Sequence, residues 1–123
     1  MTLIEAINRV DALKPNVYTQ EEKIAWLSTL DGMVMKGVID KHEGGEDIVF
    51  NGYTVDTPLD TELIVQAPYD EIYVCWLESK IDYANSEYAK YNNSIIRYND
   101  FYSGFASEYN RTHMPKGSAV KYF

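Results

Sequence analysis

The chain is short of several things, and each shortage narrows what it can be. It has one cysteine, Cys75, so no disulfide can close within it, and a lone thiol fits a reducing cytoplasm. It has two histidines, His42 and His113, far apart and each at a segment end. There is no HExxH pattern, no Ser-His-Asp grouping and no glycine-rich phosphate loop. His42 with Glu43 and Asp47 is the nearest approach to a metal site and falls short of a closed ligand set. No apolar run approaches the roughly 20 residues of a membrane span. The start, Met1-Thr2-Leu3-Ile4-Glu5, lacks the basic flank and apolar core of a signal peptide. The expectation is a soluble intracellular protein that is not an enzyme and uses no cofactor or metal.

Basic residues are also scarce. Eleven Lys and Arg stand against 19 Asp and Glu, a net charge of −8 over 123 residues. The imbalance is uneven, because Arg111, Lys116 and Lys121 lie beyond the last acid, Glu108. Acid is densest where Asp40, Glu43, Glu46, Asp47, Asp56, Asp60 and Glu62 face only Lys41. Such a field repels DNA and anionic membranes and favours basic partners. Its plainer meaning is a solvated acidic loop.

What is present in quantity is helical periodicity. Thr2 with Glu5, and Thr19 with Glu22, are capping-box patterns that open helices over about 2–14 and 19–38. Lys14-Pro15 stops the first. The chain then changes character: Ile48-Val49-Phe50, the turn pair Asn51-Gly52 and Tyr53-Thr54-Val55 predict a small β-hairpin over about 47–56. After Pro68 an apolar position recurs every three or four residues: Val74, Leu77, Ile81, Ala84, Tyr88, Tyr91, Ile95, Tyr98, Tyr102, Phe105, Tyr109. That unbroken heptad pattern predicts a long helical segment over about 70–112. The fold class expected is mainly α: a small helical bundle, one domain over 1–115, with a hairpin insertion and a flexible tail over 116–123.

Two readings of the long segment compete. Asn92-Asn93-Ser94 is poor helix material and suits the turn of a helical hairpin. Against a turn there stands phase, because Ile95 follows Tyr91 in step with the seam. A single helix of about 43 residues would span roughly 65 Å, well beyond a compact domain of this size. In either arrangement the seam is unusual, since five of its eleven residues are tyrosine. A buried phenol that finds no hydrogen bond costs about 1–3 kcal/mol. Tyrosine-rich seams suit surfaces with apolar rings and wet tips, as in protein–protein interfaces. The residues expected at a subunit interface are Tyr98, Tyr102, Phe105, Tyr109 and the tail pair Tyr122 and Phe123.

Four stretches carry a resemblance: Pro68-Tyr69-Asp70, Ile81-Asp82-Tyr83-Ala84-Asn85, Tyr91-Asn92-Asn93, and Tyr109-Asn110-Arg111-Thr112-His113-Met114-Pro115. They resemble the head–tail connector (adaptor or head-completion) proteins of tailed phages and prophages. The resemblance implies a helical, non-catalytic virion structural protein without cofactor. Its subunits assemble as a ring, often a dodecamer, on the portal and meet tail-completion proteins. The place implied is the host cytoplasm during assembly and then the head–tail junction of the virion. DNA would be only passing cargo, and an acidic lumen would let it slide. The alternative from the residues alone is an acidic helical binding module, a mimic of DNA charge or a regulator that captures a basic partner.

Overall fold

The first helix is started by two reciprocal bonds. The Thr2 hydroxyl accepts from the Glu5 N–H, and the Glu5 carboxylate accepts from the Thr2 N–H, both at 3.2 Å. The computed structural model describes residues 1–116, and in it this capping box opens α1 (Leu3–Leu13). Thr19 opens α2 (Gln20–Gly37) by accepting from the Glu22 N–H at 3.1 Å. Leu3, Ala6, Ile7 and Val10 form the buried stripe of α1, and Ile24, Leu27, Leu30 and Val34 that of α2. Two further helices follow a long irregular stretch: α3 (Ile72–Ala84) and α4 (Tyr88–Thr112). The described residues are therefore mainly helical.

The third helix is the axis of the core. Every residue from Ile72 to Ser79 is buried, as expected when Ile72-Tyr73-Val74-Cys75-Trp76-Leu77 runs apolar around the whole helix. It packs against α1, α2 and α4 together. Burial on all sides replaces the narrow seam that the heptads suggested for this half.

The expected single helix over 70–112 is two helices, and the break lies at Asn85-Ser86-Glu87 rather than at Asn92-Asn93. Ser86 adopts φ 60, the left-handed region. Its N–H donates to the Tyr83 carbonyl at 3.0 Å, and the Glu87 N–H donates to the Asp82 carbonyl at 2.9 Å. This is the crossed pair of bonds that closes a Schellman helix end. Asn92 and Asn93 lie within α4, and the Ser94 hydroxyl is turned inward to donate to Asp82 at 3.0 Å. Tyr91 and Tyr98 of the α4 seam pack on Tyr83 and Trp76 of α3, each one position before a seam residue of that helix.

The expected β-hairpin over 47–56 is also corrected: no strand forms among the described residues. Only isolated bridges occur, Thr2 with Glu62 and His42 with Pro115. The residues after Asn51-Gly52 find partners on α2 instead of across a ladder. The Tyr53 N–H donates to the Ser28 hydroxyl at 3.0 Å, and the Tyr53 phenol donates to Asp31 at 2.5 Å. Phe50 packs edge-on to the Tyr53 ring at 5.0 Å. Residues 39–41 and 45–47 make short 3-10 turns. Gly45 is required there, since a Cβ would lie 2.3 Å from the Ile39 carbonyl oxygen.

Candidate interaction surfaces

A buried carboxylate fixes the irregular stretch to the bundle. Asp31 on α2 is fully buried and accepts from the Tyr53 phenol, the Tyr73 phenol at 2.6 Å and the Ile64 N–H at 3.2 Å. Tyr73 in turn accepts from the Val65 N–H at 2.7 Å. Burial raises the Asp31 carboxyl above its ordinary value, and the phenols and amide oppose that shift by favouring the anion. Burial followed by the Asp31 charge drives the Tyr73 and Tyr53 phenols upward. The Leu59 and Thr61 carbonyls accept from the Ile4 and Leu3 N–H groups at 3.0 Å, satisfying donors that the start of α1 leaves open. The stretch is held at several points, so it is built structure rather than slack chain.

Beyond these anchors its outer side is open. Asp40, Glu43, Glu46, Asp47, Asp56 and Asp60 are exposed. Among the described residues none of these six forms an ion pair. Ile48, Phe50, Tyr53 and Ile64, with Glu62, line a groove of about 620 Å³ on the same stretch. Val49 stands 80% exposed on its edge. A stretch that carries both an apolar groove and exposed carboxylates suits a basic partner with an apolar anchor.

A second surface lies at the α3–α4 turn. Tyr83 and Tyr88 are 60% and 56% exposed, and the Tyr83 ring meets Tyr88 at 5.7 Å and Tyr91 at 5.3 Å. Lys14 pairs with Asp82 and the Tyr18 phenol donates to Asn85 at 2.6 Å, which ties the chain after α1 to this turn. Leu13 and Val17, the chain neighbours of Lys14 and Tyr18, are exposed. Lys80 lies over the Trp76 ring at 4.4 Å, and a recess of about 180 Å³ opens between Trp76, Tyr83, Tyr91 and Ile95.

The side chains expected at a subunit interface are divided by the fold. Phe105 and Tyr109 are buried in the chain's own core, at 8% and 9% exposure. Tyr98 and Tyr102 are half-buried at its edge, where Tyr98 packs on Trp76 at 5.1 Å. Burial pushes the Tyr98 phenol up to about 12. Tyr122 and Phe123 lie outside the described residues. The sequence reading missed Tyr83, Leu13 and Val17 as surface residues. The cue was the crowding of Tyr83, Tyr88 and Tyr91 around Asn85-Ser86.

The groups with possible chemistry are occupied by structure. His42 is buried, its Nδ1 donating to the Val38 carbonyl at 2.6 Å and its Nε2 lying 2.6 Å from Asn110 Oδ1. Its ring meets the edge of Tyr109, which stacks on His113 at 3.7 Å. Cys75 is buried, and burial raises its thiol. Among the described residues no cluster of three His, Cys, Asp or Glu side chains is placed to hold a metal ion. Among those residues, too, no helix is long and apolar enough to cross a membrane.

Comparison of the chain with known protein families, with characterised proteins and with solved structures finds no match.

Proposed function

We propose that this chain is a non-catalytic assembly subunit, and that its assembly is a head–tail connector ring on the portal of a phage or prophage. The observation that carries the reading is the exposed pair Tyr83 and Tyr88 at the α3–α4 turn, to which the segment with exposed Leu13 and Val17 is tied, on a bundle whose own core is already filled. Large apolar side chains clustered on a surface favour contact with another protein. Contact between two different patches of identical subunits closes into a ring when the rotation allows it. The second patch in this reading is the half-exposed edge of α4 at Tyr98 and Tyr102, so Phe105 and Tyr109 support the interface from beneath. The six exposed carboxylates serve the lumen, where a negative wall keeps passing DNA from sticking. The phage and portal identities rest on the resemblance, which spans most of the chain and has its motifs in Pro68–Pro115.

Electron microscopy of the concentrated protein, alone and mixed with portal, tests this reading. Rings that are lost in a Tyr83→Glu, Tyr88→Glu variant with unchanged helix content are the expected result. A wild-type chain that stays monomeric with and without portal overturns it. The second reading, an acidic module for a basic partner, is favoured by the same six carboxylates. It requires a monomer that binds a polycation with strong salt dependence.

A further inference from the structure

Asn51 and Gly52 form no turn of a hairpin, and their placement has a chemical consequence. We infer that Asn51 is a site of spontaneous deamidation, which rewrites the backbone beside the Tyr53 anchor. The backbone nitrogen of Gly52 attacks the Asn51 side-chain carbonyl carbon, the amide nitrogen leaves as ammonia, and a succinimide ring closes. Water then opens the ring at either carbonyl, giving aspartate or isoaspartate. The net change is one amide plus one water converted to one carboxylic acid plus ammonia.

Three features concentrate this reaction at one residue. Gly52 carries no Cβ to crowd the attacking nitrogen. Asn51 is exposed to water, and among the described residues the Gly52 N–H has no hydrogen-bond partner. The pair also lies outside any helix or strand, so no ladder resists closure of the ring.

The other asparagines are restrained. Asn8, Asn92, Asn93, Asn99 and Asn110 lie inside α1 or α4, where the next nitrogen is held by the helix. Asn85 is held by the Tyr18 phenol, and the following N–H, of Ser86, donates to Tyr83. Asn16 accepts from the Tyr18 N–H at 3.1 Å and precedes the β-branched Val17.

Either product adds a carboxylate to a stretch that already carries six exposed ones. Isoaspartate also lengthens the main chain by one carbon immediately ahead of Gly52. Tyr53 follows directly, and its N–H and phenol are the bonds to Ser28 and Asp31. The aged chain therefore has a displaced anchor at the groove.

The test is to incubate the purified full chain at mildly alkaline pH and map its peptides by mass spectrometry that separates aspartate from isoaspartate. Asn51 is expected to convert roughly tenfold or more faster than Asn85 or any helical asparagine, because glycine leaves its nitrogen uncrowded. Asn51→Gln, which would need a six-membered ring, removes the fast conversion while keeping an amide. Conversion at Asn51 no faster than at Asn85 overturns the inference. Hydrogen exchange on the separated isoaspartyl form reads the consequence. Faster exchange at the Tyr53 and Ile64 amides than in an Asn51→Asp variant is expected, and equal exchange overturns the displaced anchor.

Discussion

Helices α3 and α4 carry one continuous heptad series, yet the fold treats them differently. Along α3 every side chain from Ile72 to Ser79 is buried, whereas α4 fully buries only Ser94, Phe105 and Tyr109. The difference comes from what lies between the seam positions. In the first half of α3 the intervening residues Ile72, Tyr73, Cys75 and Trp76 are apolar too, so three neighbours can pack around it. In α4 they are Lys90, Asn93, Arg97, Asp100 and Glu108, so only one stripe leaves water. A heptad pattern marks which face packs, and the residues off the pattern decide how many neighbours a helix has.

The sharpest way to break this comparison is to remove equal volumes from each helix. Leu77→Ala in α3 should lower stability by about 2–5 kcal/mol, through lost transfer energy and the cavity left behind. The same truncation at Ile96, 58% exposed on α4, should stay within about 0.5 kcal/mol. Urea unfolding followed by circular dichroism reads both as midpoint shifts at constant slope. Equal losses at the two sites would remove the distinction.

The buried hub on α3 gives the next effect. Tyr73→Phe keeps the ring and removes the phenol that serves both Asp31 and the Val65 N–H, at a cost of about 1–3 kcal/mol. It should also change the pH dependence. The folded chain raises the Asp31 carboxyl above its ordinary 3.8, with burial as the main cause. The folded state thus keeps that proton to higher pH than the unfolded chain does. Stability from this group is fully present below 3.8 and is lost as pH rises through the raised value. The stability of the wild type relative to Asp31→Asn should therefore fall as pH rises across that window. In Tyr73→Phe, which lacks one bond favouring the anion, the fall should reach higher pH. A pH-independent difference would show that Asp31 has the same affinity for its proton in both states.

What was legible in the sequence depended on how far each residue had to reach. Thr2 with Glu5 and Thr19 with Glu22 act across one turn, and both helix starts stand where those pairs place them. Asn51-Gly52 has an equally strong local signal, but Ser28 and Asp31 compete for Tyr53 from a distant part of the chain. That competition is invisible in a local pattern, and it leaves the segment without strands. Among the surface residues, Tyr83 was hidden because the seam count selected its neighbour Ala84. Asn92-Asn93-Ser94 misled for the opposite reason. These three weak helix formers are the one place where the pattern offers a turn as the alternative to a continuous helix, yet Ser94 is drawn inward by Asp82 and the real turn, at Ser86, needs only one residue at positive φ.

The smallest effects locate that turn by sign. Ser86 holds φ 60, where a Cβ is penalised, so Ser86→Gly should gain up to about 1 kcal/mol. Asn93 is exposed in the middle of α4, so Asn93→Ala should gain about 0.5 kcal/mol from helix propensity alone. A chain that turned at Asn92-Asn93 would respond in the reverse sense at both places. Alanine would then remove a residue suited to the turn, and glycine at position 86 would weaken a helix interior by about 0.5–1 kcal/mol. Each shift is small, but the two signs together discriminate between the arrangements. They also decide whether Tyr83, Tyr88 and Tyr91 meet at one end of the bundle, because that cluster exists only if the chain reverses between them.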